Sequence, residues 1–481
     1  MKWSIQERGG VLYSAMEPHI EAVGKRVRGR ELYFPQRMFI ALDRDHIYWV
    51  YGIPEHEKTT RLWIKRWLGD TKKRFIKTAH ARYAKFLHEL VPWMDAALPD
   101  SPRQIGDLSQ RIRAIAVEHT RTVGSSVDGF DDFFQNAFSE YIAKQGFAHL
   151  IIDHKSWAIL TVPAYRSAAM ECRHELVRLF LEKKPSREII DYCHKKYIWL
   201  SLGWGKFDPA TRRNITNDLR GVQKEARAKL VKEELSLRNY VKQIKAERSG
   251  VVKKYRIPLQ AVKPYLELLD DCAALHDQRK EIQMRTLYIS NRIQKKVAAM
   301  YGFNAAQTEA LSWMTEPEFL RVIRTGVFPK KSLKNRMRAV CFDIEKGTMK
   351  RREGARAVKR IEKMLSEARE KSNLMEVTGT RACLGVARGR VFVAASAREA
   401  IHGIRKGDVL ITTMTTPDFI PAMKKAVAIV TDQGGITSHA ALISREMGIP
   451  CIIGTKSATQ LFKTGDMVEV DADRGIVRPV K

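Results

Sequence analysis

Paired cysteines are missing from this chain. Its six cysteines, Cys172, Cys193, Cys272, Cys341, Cys383 and Cys451, are scattered, and no two form a C-x-x-C pair. That argues against a zinc site or a disulfide framework and favours a reducing cytosol. Long apolar runs are missing too. No stretch reaches the roughly 18 residues that a membrane span needs, so no span is expected. The opening residues, Met1-Lys-Trp-Ser-Ile-Gln-Glu-Arg, carry charge without an apolar core, so no secretory leader is expected. A G-x-x-x-x-G-K-[S/T] phosphate loop is absent. No internal repeat or low-complexity tract is found.

Acidic residues are also in deficit. The 481 residues hold 85 Lys and Arg against 54 Asp and Glu, a net charge of +31. Residues 378–481 contribute 14 basic and 9 acidic groups, so most of the excess lies before them. It suits nucleic acid, nucleotide phosphates or an acidic partner, and equally a lysine-rich solvated helical surface. Length alone predicts two or three domains.

Hydrophobic patterning predicts a multidomain α+β chain, mainly helical at first and then strand-rich. Residues 1–130 form a mixed region of unassigned fold. In it Phe39-Ile-Ala-Leu and His46-Ile-Tyr-Trp-Val-Tyr flank Asp43-Arg-Asp45 as a possible hairpin. Residues 131–345 read as a helical central domain. Leu176, Leu179 and Phe180 keep the helical period up to Pro185, and Leu202–Phe207 is a loop. One long charged helix is expected from Thr216 to Arg248 and another from Pro264 to Met300, a hairpin broken between Gly250 and Pro258. Residues 346–377, with Lys350-Arg-Arg-Glu and Lys359-Arg-Ile-Glu-Lys, read as a charged helical linker roughly 40 Å long ending in a hinge. Residues 378–481 then alternate short strands and short helices.

The chemistry concentrates in Thr431-Asp-Gln-Gly-Gly-Ile-Thr-Ser-His439-Ala-Ala-Leu-Ile-Ser-Arg445-Glu-Met-Gly448-Ile-Pro450. Val427–Thr431 is a buried strand, and Gly434 and Gly435 allow a sharp bend with close approach to a ligand. The helix predicted over Thr437–Met447 offers unpaired amides and a positive dipole end to an anion. Thr437 and Ser438 supply hydroxyl donors or helix caps. His439 stands in the first turn; an imidazole with an ordinary pKa near 6.5 is largely neutral at pH 7 and can attack phosphorus. Ala440, Ile443 and Met447 fall on one helical face toward the core, while Ala440 and Ala441 leave room around the ring. Asp432 reads as an exposed turn residue or an orienter of the histidine, and Cys451 as a small core residue.

The motif G-G-x-T-[S/C]-H-x-A followed by R-E-x-G-[I/V]-P resembles the phosphohistidine motif of the phosphoenolpyruvate-utilising enzymes, the family of phosphoenolpyruvate synthase and pyruvate phosphate dikinase. Gly434, Gly435, Thr437, Ser438, His439, Ala441, Arg445, Glu446, Gly448, Pro450 and Gly454 match it. The similarity extends over Gly379, Gly385, Gly407-Asp-Val-Leu, Thr415-Thr-Pro-Asp418 and Gly465-Asp-Met-Val-Glu-Val-Asp. It implies a swivelling β/β/α domain over 378–481 that carries a phosphoryl group on His439 between two sites. It also implies that Thr437 steadies the phosphoryl oxygens or the ring. Arg445 contacts phosphate or makes a salt bridge, and Glu446 is a structural partner. The family's V-x-R-S-S motif is not found, since its nearest candidate, Val123-Gly-Ser-Ser-Val127, is too short and reads as a surface turn, and no barrel is expected after Lys481. The resemblance therefore implies a phosphotransferase component whose donor, ATP or phosphoenolpyruvate with Mg²⁺, sits on a separate ATP-grasp or other donor protein, as in phenylphosphate synthase. Its acceptor is a small molecule of unassigned identity. The alternative is a basic helical nucleic-acid-binding protein with the histidine domain as a regulatory or degenerate module.

Overall fold

A computed structural model describes residues 3–9, 37–43, 46–70, 73–120, 130–201, 210–345, 348–370, 376–395, 397–415, 419–432, 434, 438–455 and 458–480. Strands β1 (Trp3–Gly9), β2 (Arg37–Asp43), β3 (His46–Gly52), β4 (Ala339–Glu345) and β5 (Thr348–Glu353) form one antiparallel sheet in the order β1-β3-β2-β4-β5. The hairpin expected around residues 39–51 is its β2–β3 pair, with Ile40 opposite Trp49. Strand periodicity divides the side chains. Ile40, Leu42, Val340, Phe342 and Ile344 enter a core with Phe86, Ile105, Ile112, Ile289 and Val322. On the opposite face Ala41, Ala339 and Cys341 pack on Ala357, Ile361 and Met364 of helix Ala355–Glu370.

This sheet joins the first fifty residues to residues 339–353, which the sequence reading assigns to separate regions. It also corrects the charged linker: Lys350, Arg351 and Arg352 lie in edge strand β5, and the helix begins only at Ala355. A charged strand can lie at a sheet edge because solvent takes its outer side, and the charges discourage pairing with other chains. On the inner side Arg352 and Arg360 both pair with Asp343.

Two further corrections concern the long helices. In place of one helix from Thr216 to Arg248 there are two, Ala210–Gln223 and Arg227–Lys254, separated where Ala226 is extended at φ −62° and ψ 134°. Val222 before the break and Leu230 after it close on Val177, a tertiary cause with no local marker. The other helix starts at Leu259 and runs 42 residues to Met300, with Pro264 inside it; at 1.5 Å per residue it spans roughly 63 Å. It is the spine of the helical part. Its C-terminal half carries Ile282, Ile289, Ile293 and Val297 into the core against the sheet. Its N-terminal half carries Val262, Leu266, Leu269 and Leu275 into a second core with Trp63, Trp67, Phe134 and Phe138. Buried Arg248 fastens helix Arg227–Lys254 to this spine through Asp270, at 2.8 Å, and Asp270 also accepts from the Ala164 amide at 2.7 Å.

Phe138 is fully buried, with Tyr265 stacked 4.9 Å and Trp157 5.2 Å from its ring centroid. Phe138→Ala removes that volume from three packed elements, and a loss of about 3–5 kcal/mol is expected in urea unfolding. A loss under about 1 kcal/mol would mean the cavity collapses.

The C-terminal part has an eight-stranded sheet in the order β6-β13-β12-β8-β9-β10-β11-β7. The strands are β6 (Val377–Thr378), β7 (Thr380–Cys383), β8 (Val386–Ala394), β9 (Val409–Thr412), β10 (Ala428–Thr431), β11 (Cys451–Ile453), β12 (Met467–Asp471) and β13 (Ile476–Pro479). β8, β9, β10 and β11 are parallel, and the first half of β8 pairs antiparallel with β12. β9, β10 and β11 are buried on both faces, which explains their unbroken apolar runs. Leu410, Ile429, Cys451 and Ile453 face the helices, packing on Ala400, Ala422, Met423, Ala440 and Ala441. Val409, Ile411, Ala428, Val430 and Ile452 face a second layer with Val468, Val470 and Val477. The result is the β/β/α layering expected for residues 378–481. The helix expected from Pro417 to Lys425 is only Ile420–Met423, and residues 416–418 lie outside the described residues.

Candidate functional site

The site forms where parallel strand β10 ends. Thr431 and Asp432 are both buried there, as is Thr412 at the neighbouring end of β9, whose carbonyl accepts from the Asp432 amide at 3.1 Å. Parallel strands release their connections at one edge, and ligands of open α/β sheets bind in the crevice outside the carboxyl ends. The chain turns through Gly434 at φ +124°. There a Cβ would stand 2.9 Å from the Ser438 hydroxyl oxygen, so only glycine fits both the backbone and the space. Gly434→Ala is expected to destabilise this domain by about 1–2 kcal/mol. Thermal unfolding should show it, and faster amide exchange over residues 428–447 should localise it.

Helix His439–Met447 follows, nine residues long. The Ser438 hydroxyl accepts from the Ala441 amide at 3.4 Å, which makes Ser438 the cap of this helix. The capping alternative of the sequence reading therefore holds for Ser438. A helix leaves its first amides without an acceptor in the helix itself, and they gather positive potential at its start. His439 is the first helical residue and Arg445 the seventh, both placed by their backbone. Gly435 and Thr437 lie outside the described residues, as do Val123–Val127 and the Leu202–Phe207 loop. Ala440 and Ala441 are buried in the core, with Ile443 and Met447 packed against it. Their small size lets the helix lie close on β7, β10 and β11. Cys451 is a core residue, its sulfur 4.0 Å from the Ala440 carbonyl.

Asp432 corrects one of its two sequence readings. It is buried rather than an exposed turn residue, and the side chain of His439, which the other reading needs, lies outside what the structure describes. Its carboxyl accepts from the Thr455 hydroxyl at 2.9 Å, from the Thr459 amide at 3.3 Å and from the Thr459 hydroxyl. Burial pushes this carboxyl above the ordinary aspartate range, and the hydrogen bonds from Thr459 and Thr455 oppose the rise. Thr455 and Thr459 were not singled out from sequence. A threonine pair four residues apart just after a core strand was the available signal, but polar residues do not register in an apolar periodicity.

Residues 404–475 match the family described as PEP-utilising enzyme, mobile domain. The phosphoenolpyruvate synthase of Pyrococcus furiosus is 58% identical over 99 residues, which are 21% of this chain and 12% of that protein. A probable phosphoenolpyruvate synthase of Archaeoglobus fulgidus is 50% identical over 119 residues, 25% of this chain and 15% of that protein. The crystal structure of Thermococcus kodakaraensis aconitase X (holo-form) covers 22% of this chain and 98% of its own at 21% identity, with a TM-score of 0.18, too low to bear on function. Residues 404–475 are thus a mobile domain of the phosphoenolpyruvate-utilising type. The chain spans only about an eighth of the length of the curated relatives it first matches.

Proposed function

We propose that this protein is a phosphotransfer component that carries a phosphoryl group on His439. The observation that supports this most directly is the placement of His439 as the first residue of a helix, just beyond the buried end of β10, within a matched mobile domain. A neutral imidazole nitrogen attacks the phosphorus of the donor, and the donor's leaving oxygen departs with the bonding pair. Amides at the helix start favour the oxyanions. Protonation then makes the imidazole a good leaving group toward an acceptor hydroxyl. Gly434, Gly435, Thr437, Ser438 and Arg445 form the surroundings of the phosphoryl group in this reading. Ser438 acts through the helix cap.

The donor is ATP or phosphoenolpyruvate with Mg²⁺, bound by a separate ATP-grasp or other donor protein, and the acceptor is a small molecule. Transfer takes place in the cytosol. Among the described residues no helix is long and apolar enough to cross a membrane. Hinged attachment of such a domain keeps a carrier histidine at high effective concentration near each site. The alternative of a nucleic-acid-binding protein draws no support from the relatives.

The test is incubation of the full chain with [γ-³²P]ATP, [β-³²P]ATP or [³²P]phosphoenolpyruvate, alone and with extract of the source organism. An acid-labile, base-stable phosphoprotein is expected. No such label from any donor, with or without extract, overturns the reading.

A further inference from the structure

Asp432 is a buried carboxyl that the phosphoryl chemistry just described does not use. It lies on the connection that follows β10 and leads to His439, within hydrogen-bond reach of residues on the connection that follows β11. Its oxygens take hydrogen bonds from the Thr455 hydroxyl, the Thr459 amide and the Thr459 hydroxyl, all on the second connection. The same connection is tied back to the strand end: the Thr455 amide and hydroxyl both donate to the Thr431 carbonyl, at 3.0 and 3.1 Å.

From this knot two backbone approaches lead toward the start of the helix. Gly454 has φ +68°, and a Cβ there would stand 3.4 Å from the Gly434 carbonyl oxygen. Gly434 in turn lies against Ser438, whose hydroxyl is 2.9 Å from where a Gly434 Cβ would be. Ser438 caps the helix that begins at His439. A shift of residues 454–459 away from Asp432 would therefore release the Gly434 turn and the start of the helix together.

We infer that Asp432, with Thr455 and Thr459, is a latch that fixes the end of β10 ahead of His439, and that Asp432 is a positioning residue for transfer at His439. The inference rests on the carrier reading for its functional half and on the hydrogen-bond geometry for its structural half. Among the described residues the Asp432 carboxyl is held by Thr455 and Thr459, and the role inferred for it is indirect. Its effect is to hold the imidazole and the helix amides in one mutual placement, the kind of alignment whose loss by about 1 Å costs about 10²-fold in rate.

Two measurements on the full chain test it. The first is amide hydrogen exchange of wild type, Asp432→Ala and Thr459→Val. Faster exchange confined to residues 428–447 and 451–462, with the helical part unchanged, is expected. Exchange unaltered in both variants overturns the latch, whether or not His439 is ever labelled. The second is the rate of acid-labile labelling at limiting and saturating donor, with [γ-³²P]ATP and [³²P]phosphoenolpyruvate and the extract used above. Asp432→Ala is expected to lower the saturating rate about 10²-fold with little change in the donor concentration for half-maximal rate. Asp432→Asn, which keeps an oxygen for the Thr455 hydroxyl, is expected to recover part of the loss. Wild-type labelling rates in folded Asp432→Ala overturn the positioning role. Should Asp432→Ala fail to fold, Thr459→Val carries both measurements, with a smaller expected loss of about tenfold, and wild-type behaviour in it overturns the inference. Absence of label in the wild-type chain overturns the carrier reading and this functional half with it, and leaves the exchange result to judge the latch.

Discussion

His439→Ala protein is expected to take up no acid-labile, base-stable label under conditions in which the native chain is labelled, a loss of more than about 10³-fold. The size follows from the chemistry: a phosphoramidate needs a nitrogen nucleophile, and alanine supplies none. The neighbouring hydroxyl does not substitute unnoticed. Phosphate on Ser438 would be an acid-stable ester, so acid treatment of the labelled protein separates the two outcomes. It would also displace the hydroxyl that caps the helix at Ala441. Stability should change little, because a first-turn histidine replaced by alanine keeps a good helix former. A variant that melts like the native chain yet carries no label therefore assigns the loss to chemistry. Acid-labile label retained in His439→Ala would move the carrier to another residue.

Arg336→Met is expected to cost the helical part about 3 kcal/mol or more in urea unfolding, at the lower end of the range for breaking a buried ion pair. Arg336 is only 3% exposed and is held by three elements at once. It donates to Glu318 at 2.6 Å, to Glu353 of β5 at 3.2 Å and to the Trp313 carbonyl at 2.7 Å. Methionine fills much of the volume but leaves two carboxylates, each under a quarter exposed, without that cation. The pH dependence checks the cause. Burial alone would raise the Glu318 carboxyl, but Arg336 and the Thr315 amide and hydroxyl outweigh it and hold the group at about 2. A carboxyl depressed in the folded state contributes stability above its unfolded value of about 4.3, and that contribution is lost as pH falls toward about 2. The gap between native and Arg336→Met stability should accordingly narrow as pH drops from about 5 to about 2.5. An unchanged gap would assign the loss to packing alone.

The C-terminal domain was legible in the sequence because its signals are local. Glycine turns, four-residue apolar runs and a helix opening at His439 each sit within a dozen residues, and the strands β9, β10, β11, β12 and β13 fall where that pattern puts them. The Asp432 knot was hidden because it joins residues over twenty positions apart through hydroxyls, which carry no periodic signature. The helical part was legible in type but not in detail. The break at residues 224–226 has no glycine or proline to announce it. β5 reads as helix because lysine and arginine suit an exposed helix as well as a sheet edge, and only its pairing with β4 decides between them.

The antiparallel sheet has a bearing on how the molecule is made. β2 lies between β3 and β4, and Ile40 is paired with Phe342 some three hundred residues later. A nascent chain therefore holds one edge of β2 without its partner β4 until residues 339–345 have left the ribosome. Closing so large a loop is slow, and an unsatisfied apolar edge invites aggregation meanwhile. Synthesis of this protein is expected to depend on chaperones that shield those strands, and fragments ending before residue 339 to accumulate as insoluble material.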